Sequence, residues 1–226
     1  MKPPLILVSG LLSDKRVWRH QIEHLEDIAT IQVASPTQNR PERMVEEILA
    51  NAPSKFALAG HSMGGWLCIE IMRTAPFRVE KLCLLNTTAN DDTDEKKAKR
   101  QEMIARVKNH EFFSIAEELS DLLVENAPVK RDVLQMFLDV GEEAFINQEE
   151  AMLCRKPCEP LLSTISCPSL VIHAAKDRNF SLRDHEELAA KIPKGKLAVI
   201  DDSGHMSPME APQAVTTLLR YWLTYY

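Results

Sequence analysis

The chain has 226 residues, 45% hydrophobic and 27% charged, with a net charge of −6 and an isoelectric point near 5.7. These values fit one well-filled globular core and exclude a disordered chain or a fibre. The acidic balance argues against nucleic acid or an anionic membrane as a partner, and no apolar run approaches the ~18 residues of a membrane span.

Leu5 to Ser9 reads as a buried strand running into Ser9-Gly10-Leu11-Leu12. Prolines precede this strand, and its apolar run is too short for a signal-peptide core. A helix is predicted from about Lys15, with Val17, Ile22 and Leu25 on one face. Ala29 to Ala34 is a second strand, and Pro41 suits the first position of a helix carrying Met44, Val45, Ile48 and Leu49. Phe56 to Gly60 is a third strand, and Gly64 to Thr74 is a helix apolar nearly all round, as burial against a sheet requires. Val79 to Asn86 is a fourth strand.

The alternation then stops. Four helices follow: Asp91 to Lys108, Phe112 to Glu125, Pro128 to Gly141, and Glu142 to Leu153. The charge run at Lys96, Lys97, Lys99 and Arg100 is balanced by acids and reads as a solvated face. Pro157 and Pro160 end this block. Strand and helix then resume with Ser169 to Ala174, Leu182 to Ile192, Lys196 to Ile200, and a final helix from Pro208 to Tyr225. The pattern predicts an α/β fold, a doubly wound and mostly parallel sheet of about six strands. Residues 1–88 and 161–226 are the expected core, and residues 89–160 an all-helical cap inserted in it.

Between the third strand and its helix lies Gly60-His61-Ser62-Met63-Gly64, a G-x-S-x-G match. A strand-to-helix turn this sharp lifts one serine hydroxyl clear of the sheet, beside the free N–H groups of a helix start. Met63 N–H would then face an oxyanion formed on a carbonyl attacked by Ser62. In such a sheet, functional residues belong on loops at the carboxyl ends of strands. Ser62, Asp177 and His205 all meet that condition. A serine hydroxyl needs a base, and the base needs an acid that fixes its tautomer.

The stretch GHSMGGW resembles the nucleophile elbow of the α/β-hydrolase superfamily, serine-nucleophile esterase and lipase branch. Ser203-Gly204-His205 through Glu210 and Pro212 is similar to that family's GH-x4-E-x-P signature. The order Ser, Asp, His is also the family's. The resemblance implies Ser62 as nucleophile, His205 as base and Asp177 as acid, although the family more often shows glycine at 174 and proline at 181. Asp201 and Asp202 are rivals on the histidine's own loop. Some members carry the acid after the fourth strand, where this chain has Asn86, an amide. The second oxyanion donor implied is the N–H of Leu11, after Ser9-Gly10 where the family usually has His-Gly.

The resemblance implies a serine hydrolase needing no cofactor or metal, acting on a small, mostly apolar carboxylic ester. Thioesters, lactones, amides, carbon–carbon bonds and acyl transfer stay open, as does a ligand-binding receptor with little turnover. Trp18, Phe112, Phe113, Phe137, Phe145 and Met206 are candidate pocket residues. His20-Gln21-Ile22-Glu23-His24 matches H-x-x-E-H, but no third zinc ligand accompanies it. His173 reads as a satisfied core histidine. The five cysteines, at 68, 83, 154, 158 and 167, read as reduced, cytoplasmic thiols.

Overall fold

The computed structural model describes residues 2–226. Strand β1 (Pro4–Val8) leads through a 3-10 turn, Lys15–Trp18, into α1 (Arg19–Leu25). There follow β2 (Thr30–Ala34), α2 (Pro41–Ala50), β3 (Phe56–His61), α3 (Met63–Thr74) and β4 (Val79–Leu85). Five helices come next: α4 (Asp94–Lys108), α5 (Phe112–Leu123), α6 (Ala127–Val140), α7 (Glu142–Leu153) and the single turn α8 (Glu159–Leu162). The chain closes with β5 (Ser169–Ala174), α9 (Leu182–Lys191), β6 (Gly195–Ile200), α10 (Ser207–Glu210) and α11 (Pro212–Tyr225).

The six strands form one sheet in the order β2-β1-β3-β4-β5-β6, every pairing parallel. Parallel pairing needs crossovers, so both faces are covered and side chains alternate between two cores. Ile6, Val8, Leu58, Leu84 and Val171 point to one core, against α2, α3 and α9. Leu5, Leu7, Cys83, Leu85 and Ile172 point to the other, against α1, α11 and parts of α5 to α7. The chain steps outward from β1 to β2, then reverses across β1 to β3. That reversal puts the loops after β1 and β3 side by side, at the crevice where α/β sheets bind ligands.

Local chemistry sets the helix ends. Thr93 caps α4 by accepting from Lys96 N at 3.2 Å, with Asp94 and Glu95 in the first turn. Gly141 ends α6 at φ 91°, a conformation that a side chain would strain. Ser181 and Asp184 form a capping box at α9, so Ser181 fixes this start where a proline was the more usual residue.

The element expected from Pro208 to Tyr225 is two helices, broken at Ala211. Pro212 has no N–H to give and disfavours helical geometry in the residue before it, where φ is −129°. The helix expected from Lys15 likewise begins as a 3-10 turn, tied down by the Asp14 carboxylate on Arg16 N at 2.8 Å.

Candidate active site

Ser62 sits at the tip of the β3–α3 turn with φ 56° and ψ −122°. Two glycines make this turn sterically feasible. A Cβ on Gly60 would stand 2.3 Å from Gly64 O, and one on Gly64 would stand 2.2 Å from Val8 O. No side chain fits either place, and α3 packs directly on the sheet as a result.

The Ser62 hydroxyl donates to His205 Nε2 at 2.8 Å. His205 Nδ1–H donates to Asp177 Oδ2 at 2.9 Å, and both side chains are buried. Asp177 follows β5 and His205 follows β6, so three separate strand ends converge. The rivals go elsewhere: Asp201 and Asp202 are exposed, and Asp202 pairs with Lys176 at 3.2 Å.

Burial alone would raise the Asp177 carboxyl, but His205 and the hydrogen bonds it accepts hold it well below the usual carboxylate range. Those donors are Asn179 N at 2.7 Å, Phe180 N at 3.3 Å and Asn86 Nδ2 at 3.0 Å. Asn86 is itself held by Ser207 Oγ, which donates to its Oδ1 at 2.6 Å. The amide after β4 therefore steadies the Asp177 carboxylate.

Glu210 anchors the histidine loop. Its carboxylate accepts from Met206 N at 3.1 Å and from Glu125 N and Asn126 N at 2.8 Å each. His61 donates its Nε2–H to His205 O at 2.8 Å, while burial holds its ring neutral down to about 3.

Leu11 and Met63 both line the cavity above Ser62. Among the described residues, no hydrogen bond uses either backbone N–H. The Leu11 loop is braced from α7: Leu12 N donates to Gln148 Oε1 at 2.9 Å, and Gln148 Nε2 donates to Pro36 O at 2.9 Å. Gln148 and Asn86 are supporting residues that sequence reading missed, because each acts through a contact spanning about a hundred residues of chain.

The cavity encloses about 220 Å³. Of the candidate pocket residues only Met206 lines it. Trp18, Phe137 and Phe145 are fully buried in the core, and Phe112 packs against the same core, 6.3 Å from the Phe145 ring. Phe113 is 54% exposed. The walls come instead from Met103, Leu119, Leu122, Leu123 and Met152 on α4, α5 and α7, with Trp66 and Phe180 from the sheet side. Among the helices between β4 and β5, Phe137 and Phe145 fill the core, and the flexible aliphatic side chains face the void.

One flank is charged. Arg100 donates to Asp92 at 2.6 Å and to Glu149 at 2.7 Å, and burial pushes the Glu149 carboxyl up despite Arg100.

The H-x-x-E-H pair is occupied internally. His20 bonds Thr216 Oγ1 at 2.8 Å and stacks on His24 at 4.0 Å. His173 is a buried core histidine, and among the described residues its Nδ1 has no hydrogen-bond partner. Among the described residues no cluster of three or more His, Cys, Asp or Glu could hold a metal ion, and no helix is long and apolar enough to cross a membrane. All five cysteines are free thiols.

The alpha/beta hydrolase family model matches residues 5–218 of this sequence. The chain belongs to that family. This α/β hydrolase is 30% identical to a thermophilic esterase from Thermogutta terrifontis solved with malate bound; the superposition covers 99% of this chain and 90% of that one at a TM-score of 0.90. It shares the fold of the enol-lactonase from Burkholderia xenovorans LB400, at 20% identity, TM-score 0.86 and coverage of 99% and 92%. It is also 23% identical to the pimeloyl-[acyl-carrier protein] methyl ester esterase of Aromatoleum aromaticum, over 96% of this chain and 97% of that one.

Proposed function

We propose that this α/β hydrolase cleaves small carboxylic esters through an acyl-enzyme on Ser62. The observation that carries the reading is the unbroken relay from Ser62 Oγ through His205 to Asp177, opening into a cavity beside two unused N–H groups. His205 Nε2 takes the hydroxyl proton as Ser62 Oγ attacks the ester carbonyl. The N–H groups of Met63 and Leu11 hold the oxyanion, and buried Asp177 stabilises the imidazolium. Collapse expels the alkoxide, which His205 protonates. Water, deprotonated by the same nitrogen, then releases the acid and frees Ser62.

Residues 89–160 act in this reading as a cap, since α4, α5 and α7 supply most of the aliphatic wall. The esterase activity of the Thermogutta terrifontis relative supports an ester substrate. The test is release of p-nitrophenol from acetate-to-octanoate esters by wild type and Ser62→Ala. Turnover by wild type and its near-complete loss in the variant is the expected result. Equal turnover by both would overturn the reading.

A further inference from the structure

We propose that the pocket selects esters bearing a free carboxylate, received by Lys96 and Lys99; this rests on the serine-hydrolase reading. The cavity carries four cations, Lys96, Lys99, Arg100 and Arg155, against two carboxylates, Asp92 and Glu149. The chain as a whole has a net charge of −6, so this local excess runs against its composition.

The two arginines are committed within the protein. Arg100 bonds both carboxylates. Arg155 lies 3.7 Å from Asp92, donates to Thr88 O at 3.1 Å and Asn90 O at 3.2 Å, and stacks 5.0 Å over the Trp66 ring.

The two lysines are not. Among the described residues neither ammonium makes an ion pair within 4.0 Å or a hydrogen bond. Lys96 acts on Asp92 and Asp184, which are bonded to Arg100 and Ser181 respectively, and Lys99 acts on Glu118, which is bonded to Arg106. Lys96 Nζ stands 5.9 Å from the Phe180 ring, and that ring stands 5.7 Å from the His205 ring. Lys96 thus has a long cation–π contact but no ionic partner, and that one ring separates its ammonium from the base beside Ser62. Leu119, Leu122 and Met103 add apolar wall to the same cavity. Both lysines are exposed, so beside a neutral apolar ester only water solvates them, whereas a carboxylate would give them an ionic partner. An ester with a second, anionic end uses the whole pocket, and the positive concavity draws it in.

The experiment compares two matched pairs at low ionic strength. p-Nitrophenyl hydrogen adipate against p-nitrophenyl hexanoate puts the carboxylate on the acyl side. 4-Acetoxybenzoate against 4-acetoxybenzamide puts it on the leaving side, each rate corrected for spontaneous hydrolysis. Wild type should favour the anionic member of at least one pair by about tenfold in kcat/KM, and that pair identifies the side. The preference should shrink in 0.5 M salt and fall to about one in the Lys96→Gln/Lys99→Gln double variant. Equal or better use of both neutral members, or a ratio unchanged in the double variant, overturns the proposal. Absence of all turnover together with no fluorophosphonate label on Ser62 would remove the serine-hydrolase reading itself.

Discussion

The strand ends and the helices between β4 and β5 build one cavity by different means. At the strand ends the backbone decides: Ser62 is held at φ 56° by neighbours that tolerate no Cβ at Gly60 or Gly64. The helices pack on it through apolar side chains such as Ile115, Phe137 and Phe145, with a few polar ties, notably Gln148 on the Leu11 loop and Arg100, which joins α4 to Glu149 on α7. Glu210 ties the histidine loop to the start of α6 in the same way. Rigid backbone suits groups that must meet within hydrogen-bonding distance, whereas side-chain ties suit walls that only shape the space. Reaction chemistry should therefore fail when the strand ends change, and selectivity should shift when the helices change.

The largest break is at the relay. Ser62→Ala should lower kcat by about 10⁴-fold or more with the fold intact, read by ester turnover and circular dichroism. Asp177→Asn should follow at ~10³–10⁴-fold, because the amide can hold His205 in the wrong tautomer and carries no charge. Gly64→Ala separates backbone from chemistry: its Cβ would meet Val8 O, so a loss of ~3 kcal/mol or more in denaturant unfolding is expected. Asn86→Leu removes one donor to Asp177 and should cost about tenfold in kcat/KM with little change in KM. The smallest effect belongs to the helical wall. Leu122→Ala should shift the preferred acyl chain length with kcat on the best ester changed by only a few-fold, read from the p-nitrophenyl ester series.

Acid sharpens the same contrast. Burial holds His61 neutral down to about 3 and His185 down to about 4. The unfolded chain takes up those protons near pH ~6.5, so stability should begin to fall below that value. The lowered Asp177 adds a second loss below pH ~4, where the unfolded aspartate is protonated and the folded one is not. Thermal melts from pH 7 to 3 should show this decline, and Asp177→Asn should lessen its lower limb, to which Asp92 and Asp184, also lowered, contribute.

The strand ends were legible in the sequence because their chemistry is local. Ser62 lies between glycines at fixed offsets, and Glu210 in α10 follows His205 within one short stretch, so the residue order carries the geometry. The strands and most helices were legible for a similar reason, through apolar runs and helical spacing. The pocket walls were not. Leu119, Leu122 and Leu123 have the helical spacing of core residues, and only the docking of α5 decides which face meets the cavity. Asn86 carries no signal in the sequence because its position suggests a charged acid, whereas its place in the fold depends on its amide donor and acceptor. The break at Ala211 could have been found, since Pro212 stands inside the expected helix.

The most direct test of the central claim is intact-mass analysis after treatment with a fluorophosphonate, followed by peptide mapping. The account predicts one adduct per chain on Ser62, none on Ser62→Ala, and much slower labelling of His205→Ala. A wild-type chain that stays unlabelled, or an adduct on any other residue, would contradict it.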